Sequence, residues 1–170
     1  MSTLIQASQI RALSLGIKVP RATATIPQTT STSIFTVSGG RVFITSVVGE
    51  VTTVIGGTSV NFNLTYTPSG GAAADLCAAT SWTSDAVGTL YSLTSGVATD
   101  LLSIQSVSSI GGTPVAASEV PNVTYAHGLW RPILVRAGDL KFKTSASTTG
   151  AVKWDITYIP LDDAATVSAA

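Results

Sequence analysis

Val60-Asn61-Phe62-Asn63-Leu64-Thr65-Tyr66 puts an apolar side chain at every second position and a small polar one between. A period of two is what a strand shows when one face packs on a core and the other meets water. The same alternation returns near the end of the chain, where Val152, Trp154, Ile156 and Tyr158 are separated by Lys153, Asp155 and Thr157. Leu140 and Phe142 alternate with Lys141 and Lys143. Further β-branched or aromatic runs lie at residues 41–48, 51–55, 89–93, 101–110 and 129–135, with the composition that fits a pleated, half-buried surface. Gly39-Gly40, Gly56-Gly57, Gly70-Gly71 and Gly111-Gly112 each follow such a run, where a positive φ serves to turn the chain. Their spacing is irregular, which argues against a solenoid or propeller. Pro132 interrupts one run and marks an edge strand or a bulge. The pattern predicts an all-β fold, a β-sandwich or jelly roll of about eight short antiparallel strands.

Residues 1–33 read differently. Apolar positions between Leu4 and Leu15 fit a helical period poorly, and Pro20 and Pro27 impose extended backbone on their neighbours. Large apolar residues are too few here for a separate core. The segment is expected to be an extended N-terminal arm, followed by a sandwich domain over residues 34–163 and a short tail over residues 164–170.

Asp, Glu, Lys and Arg make up only 11% of the chain and the formal net charge is zero, against about 25% charged residues in an ordinary soluble protein. Ser and Thr fill that space, with 21 and 25 of the 170 residues. A surface of this kind is weakly self-repulsive and favours association. The chain has no apolar run approaching the ~18 residues of a membrane span, and its start lacks the apolar block and small-residue cleavage site of a secretory signal. One cysteine, Cys77, cannot form an internal disulfide; a buried, inert thiol is expected.

Chemistry-bearing residues are scarce. His127 is the single histidine, and a general base needs a carboxylate to orient it; only Glu119 or Asp139 could approach, and only through the fold. One His and one Cys fifty residues apart exclude the common zinc patterns, and the consecutive Asp162-Asp163 lacks the alternating oxygen ligands of a calcium loop. None of the diglycines leads into a phosphate-cradling motif. Nine basic residues are balanced by nine acidic ones, so the best basic cluster, Arg11, Lys18 and Arg21, gives only weak attraction to nucleic acid. No enzyme activity, cofactor, metal, nucleic acid or membrane is expected. Trp154 reads as core; Trp82 and Trp130 stay open between core, subunit interface and ligand stacking, and Tyr125 joins them as a candidate interface or ligand aromatic.

Several segments resemble small virion structural proteins of tailed bacteriophages. They are Ile34-Phe35-Thr36-Val37-Ser38-Gly39-Gly40-Arg41-Val42, Ser46-Val47-Val48-Gly49-Glu50-Val51, Asp75-Leu76-Cys77, Gly88-Thr89-Leu90-Tyr91, Lys153-Trp154 and Tyr158-Ile159-Pro160-Leu161-Asp162-Asp163. The likeness spans Ile34 to Asp163 and leaves the arm uncovered; Ala164 stands where the family often continues with glycine. It implies a β-sandwich subunit, commonly a trimer, made in the host cytoplasm and carried on the virion. The expected role is a capsid decoration (cement) protein that binds across major capsid subunits and stabilises the head. A receptor- or glycan-binding module of a tail fibre or spike, or a tail or head-completion component, is the alternative. Partners would be the major capsid protein and further copies of this chain. Within the arm, Leu4, Ile5, Ile10, Leu13 and Ile17 would supply apolar contact and Arg11, Lys18 and Arg21 charge.

Overall fold

The computed structural model describes residues 15–93, 102–105 and 133–170, and every regular element among them is a β-strand. In chain order these are β1 (Ile17–Pro20), β2 (Ala24–Thr25), β3 (Ser31–Ser38), β4 (Val42–Thr53), β5 (Val60–Pro68), β6 (Ala74–Asp75), β7 (Thr80–Trp82), β8 (Leu90–Leu93), β9 (Leu102–Gln105), β10 (Ile133–Val135), β11 (Gly138–Thr144), β12 (Ala151–Pro160) and β13 (Thr166–Ala169). They form two antiparallel sheets. One runs β1-β12-β4-β8-β9, with β2 also on β12 and β10 also on β4; the other runs β13-β3-β11-β5-β6, with β7 also on β5. The expected all-β sandwich is therefore observed.

Consecutive strands β3, β4 and β5 alternate between the sheets, as do β11, β12 and β13. Gly39 and Gly40, both with positive φ, thus carry the chain across the sandwich instead of closing a hairpin. A Cβ on Gly39 would lie 1.9 Å from the carbonyl oxygen of Ala164, so that crossing is open only to glycine. β11 pairs with β3 while β12 pairs with β4, which stacks one crossing on the other.

The β4–β12 ladder slips twice, leaving Thr45 and Thr52 as the extra residues of β4. Each threonine donates its hydroxyl to a β12 carbonyl, Thr45 to Thr157 at 3.0 Å and Thr52 to Ala151 at 3.2 Å. A bulge disrupts the ladder and tightens its twist; here a hydroxyl serves a carbonyl at each slip. Ile34 is the extra residue where β3 slips against β11, and its carbonyl accepts from the Ala170 backbone N–H.

The core is built from the alternating positions read in the sequence. Phe62 and Leu64 of β5, Leu140 and Phe142 of β11, and Val152, Trp154 and Ile156 of β12 are all buried. The outward face of β5 is drier than its alternation suggested: Asn63 and Thr65 are also buried. The segment after β6 continues along the edge of this strand, with the Leu76 N–H donating to the Leu64 carbonyl and the Leu64 N–H to the Cys77 sulfur. Cys77 is buried, as expected.

Two boundaries differ from the sequence reading. The proposed arm over residues 1–33 is cut short, because β1 and β2 run along β12, Ile26 is a buried core residue and β3 already begins at Ser31. The tail over residues 164–170 is part of the domain, since β13 pairs with β3 and buries Val167. Both segments looked too small to fold alone; as edge strands they need only one neighbour each. Arg21 ties the two together, donating from Nε to the Ala170 carbonyl at 3.1 Å.

Arg41 and Asp162 staple the β3–β4 crossing to the end of β12. The Asp162 carboxylate accepts from the Arg41 backbone N–H at 2.7 Å, from Nε at 3.0 Å and from Nη2 at 2.8 Å. These bonds, the side-chain ones foremost, hold its carboxyl down at about 2. A carboxylate depressed in the folded state stabilises above its unfolded pKa of about 3.9, and that contribution is lost as pH falls through the folded value. Asp162→Asn should therefore lower the urea midpoint near neutral pH and lose that difference as the pH falls from about 4 toward 2. A difference independent of pH would show that the pair contributes nothing to linkage.

Candidate interaction surface

Among the described residues there is no group of three side chains able to hold a metal ion, and no helix long and apolar enough to cross a membrane. His127 and Glu119 lie outside the described residues; Asp139 accepts a hydrogen bond from Thr36 at 2.8 Å. A void near the β2 side, between Arg21, Pro27, Ile34, Phe142 and Trp154, has about 10 Å³ of room. That accommodates about one water and falls far short of a ligand pocket of roughly 300 Å³.

Trp82 is not a surface aromatic. It is fully buried and stacks between Phe62, with ring centroids 4.1 Å apart, and Tyr91, at 3.6 Å. Phe62 and Trp82 come from one sheet and Tyr91 from the other, so the stack spans the sandwich. Tyr91 donates to Asp85 at 2.6 Å; burial first, and then this hydrogen bond, push its hydroxyl well above the ordinary tyrosine value. The sequence reading left Trp82 open because β7 is three residues long and shows no period. Tyr125 and Trp130 lie outside the described residues, as do Leu4, Ile5, Ile10, Arg11 and Leu13.

Three proposed arm residues sit on the domain itself. Ile17 is half-exposed in β1, Lys18 pairs with Asp155 at 2.9 Å, and Arg21 is partly buried against the C-terminal residue, which lowers its pKa.

The exposed apolar surface gathers elsewhere, on the outer face of the β12–β4 sheet. Leu134 of β10 stands opposite Phe43 of β4, and Phe43 stands opposite Ile159 of β12. Their inward neighbours, Val135, Val42, Ile44 and Tyr158, are buried, so strand alternation turns this row to the outside. Leu134 is 56% exposed and Ile159 38%; Leu161, two residues further on, is 41% exposed. Leu15 is 44% exposed, and its carbonyl lies 3.0 Å from the hydroxyl of Thr45, two residues from Phe43. Further along the same face Lys153 stands opposite Glu50 and Lys18 pairs with Asp155, with the exposed Leu90 of β8 on the other side of Glu50. Scattered apolar residues on a surface are ordinary, but a contiguous row marks a contact site.

Sequence reasoning overlooked this row although a signal was present. Ile159 follows Lys153, Asp155 and Thr157 in the polar phase of β12, and Phe43 lies between the two core residues Val42 and Ile44. An apolar residue out of phase at one end of a strand is the mark of a face that is not meant to stay wet.

Comparison of the chain with known protein families, with curated proteins and with solved structures finds no match.

Proposed function

We propose that this chain is a structural subunit that acts by assembly, a decoration protein that binds across neighbouring major capsid subunits of a phage head and reinforces them. The observation that carries the reading is the apolar row in which exposed Leu134 and Ile159 flank the half-buried Phe43, on a sandwich of very low charge. A surface with little charge repels a lattice weakly, and a local apolar row supplies the desolvated centre that contacts need. Symmetry then multiplies one modest contact into a reinforced shell. The segment likeness to virion proteins points the same way. No catalytic role is part of this reading: the carboxylates of the described residues are engaged with Arg41, Lys18, Thr36 and Tyr91 or stand alone on the surface.

The full chain mixed with empty capsids that lack it should sediment with them in a fixed copy number, and the capsids should melt at a higher temperature. Exchanging both Leu134 and Ile159 for Asp should weaken binding by roughly 2 kcal/mol or more, about thirtyfold, since the loss falls at the centre of the contact. Absence of sedimentation with capsids would refute the decoration role; full-strength binding by the double variant would remove the apolar row from it.

A further inference from the structure

The apolar row ends at a strand with one neighbour. Among the described residues β10 pairs with β4 alone; β8 shares that side of β4 but takes up its ladder further along, at Val48. The direction of the β10 backbone groups follows from the opposite side of β4. There the Leu161 N–H donates to the Arg41 carbonyl, and Pro160, which has no N–H to give, stands opposite Val42. Hydrogen-bonded pairs alternate along an antiparallel ladder, so Arg41 and Phe43 turn their N–H and C=O groups to β12, while Val42 and Ile44 turn theirs to β10. Val42 faces Val135 and Ile44 faces Ile133. Leu134, between them, therefore points its own N–H and C=O away from β4, and no described residue meets them. One residue thus presents an unpaired donor, an unpaired acceptor and an exposed apolar side chain at the sheet edge. Arg136 lies on this flank as well. Its Nη2 would stand 3.1 Å from a Cβ on Gly71, in the connection to β6, the outermost strand of the other sheet. Arg136 is exposed and has no carboxylate in ion-pair reach among the described residues, whereas Arg41 has Asp162 and Lys18 has Asp155.

We propose that β10 takes up an extended segment of the capsid subunit as a further strand of this sheet, and that the segment carries an apolar residue opposite Leu134 and a carboxylate for Arg136. A strand added at a free edge binds the backbone groups that face it, and its side chains fall alternately on the two faces. The residue paired with Leu134 would extend the row of Ile159, Phe43 and Leu134 by one place on the outer face. Arg136 is two residues further along, about 7 Å, so in an antiparallel segment the carboxylate belongs two residues before the apolar one. An Arg–carboxylate pair beside an apolar row fixes the register and adds attraction. A second copy of this chain fits less well. Pairing β10 with itself about Leu134 sets Arg136 opposite position 132, a proline with no charge to offer. The inference rests on the decoration reading and names the chemistry of the capsid segment that would be bound.

The test uses the full chain and sedimentation with empty capsids that lack it. Leu134→Ala trims the side chain and keeps the N–H; Leu134→Pro removes the N–H as well. Because that N–H faces away from β4, the two variants should unfold at the same urea concentration, proline being tolerated on the open side of an edge strand. The proline variant should bind capsids about tenfold more weakly than the alanine variant, having lost a backbone bond at the contact. Arg136→Glu should bind about tenfold or more below the parent, since it sets like charges together. The Leu134 amide should exchange freely with solvent in the free chain and become protected on capsids. Equal binding by the proline and alanine variants, or parent-strength binding by Arg136→Glu, overturns the inference and leaves the decoration reading standing. A Leu134 amide already protected in the free chain overturns it too, because the edge is then filled by this chain or by a second copy. Failure of the parent to sediment with capsids removes the decoration reading and this inference with it.

Discussion

Trp82→Ala should lower the unfolding free energy by roughly 3–5 kcal/mol, the cost of removing a fully buried large aromatic from a core that collapses only in part. The figure belongs at the upper end here because Trp82 has a ring on either face, Phe62 at 4.1 Å and Tyr91 at 3.6 Å, and the two come from opposite sheets. Deleting the indole leaves a gap between the sheets instead of at an edge. For a domain whose total stability is about 5–15 kcal/mol, such a loss takes a large share, and with a urea slope of about 2 kcal/mol/M the midpoint should fall by about 2 M. Trp82→Phe should cost much less. The indole Nε1–H has no acceptor among the described residues, so phenylalanine gives up ring area but no hydrogen bond. An alanine variant within about 1 kcal/mol of the parent would mean that the sheets close over the gap, and the stack would not be what holds them apart.

The alternating segments were legible because period two survives without knowledge of the partner strand. Phe62, Leu64, Phe142, Trp154 and Ile156 are core residues both in the pattern and in the fold. What the pattern lacks is the neighbour. β1, β2 and β13 are two to four residues long, too short for any period to register, and they become strands because β12 and β3 present unpaired backbone to them. The arm and tail boundaries were misplaced for that reason, and Trp82, on a three-residue strand, was left undecided for the same one. The apolar row was hidden differently: Leu134, Phe43 and Ile159 are over a hundred residues apart at the extremes and meet only through strand register. The Thr45 and Thr52 slips decide that register, and nothing in a threonine announces that it will be the extra residue of a bulge.

Gly49 shows how a local reading and a tertiary one can oppose each other in sign. In the sequence, Gly49-Glu50 divides two β-branched runs into separate strands, yet β4 continues through both without interruption over twelve residues. By strand propensity alone, valine in place of a glycine within a strand should stabilise by up to about 1 kcal/mol. The partner of Gly49 across the ladder is Trp154, and the indole lies back over the glycine. A Cβ at position 49 would stand 2.7 Å from Cζ3, 2.9 Å from Cη2 and 3.0 Å from Cε3 of that ring. Trp154 cannot retreat, being 1% exposed with Phe142 packed at 5.2 Å on it. Overpacking costs about 1–3 kcal/mol in a well-filled core, and a branched side chain against a rigid ring belongs near the top of that range. The steric cost outweighs the propensity gain, and Gly49→Val should destabilise by about 2 kcal/mol in urea unfolding. The cause can be separated from strand propensity by a double-mutant cycle. With Trp154→Phe already in place, the ring no longer reaches over position 49, and the same Gly49→Val change should become neutral or stabilising. A penalty of equal size in both backgrounds would place the conflict in the backbone of β4 and clear Trp154 of it.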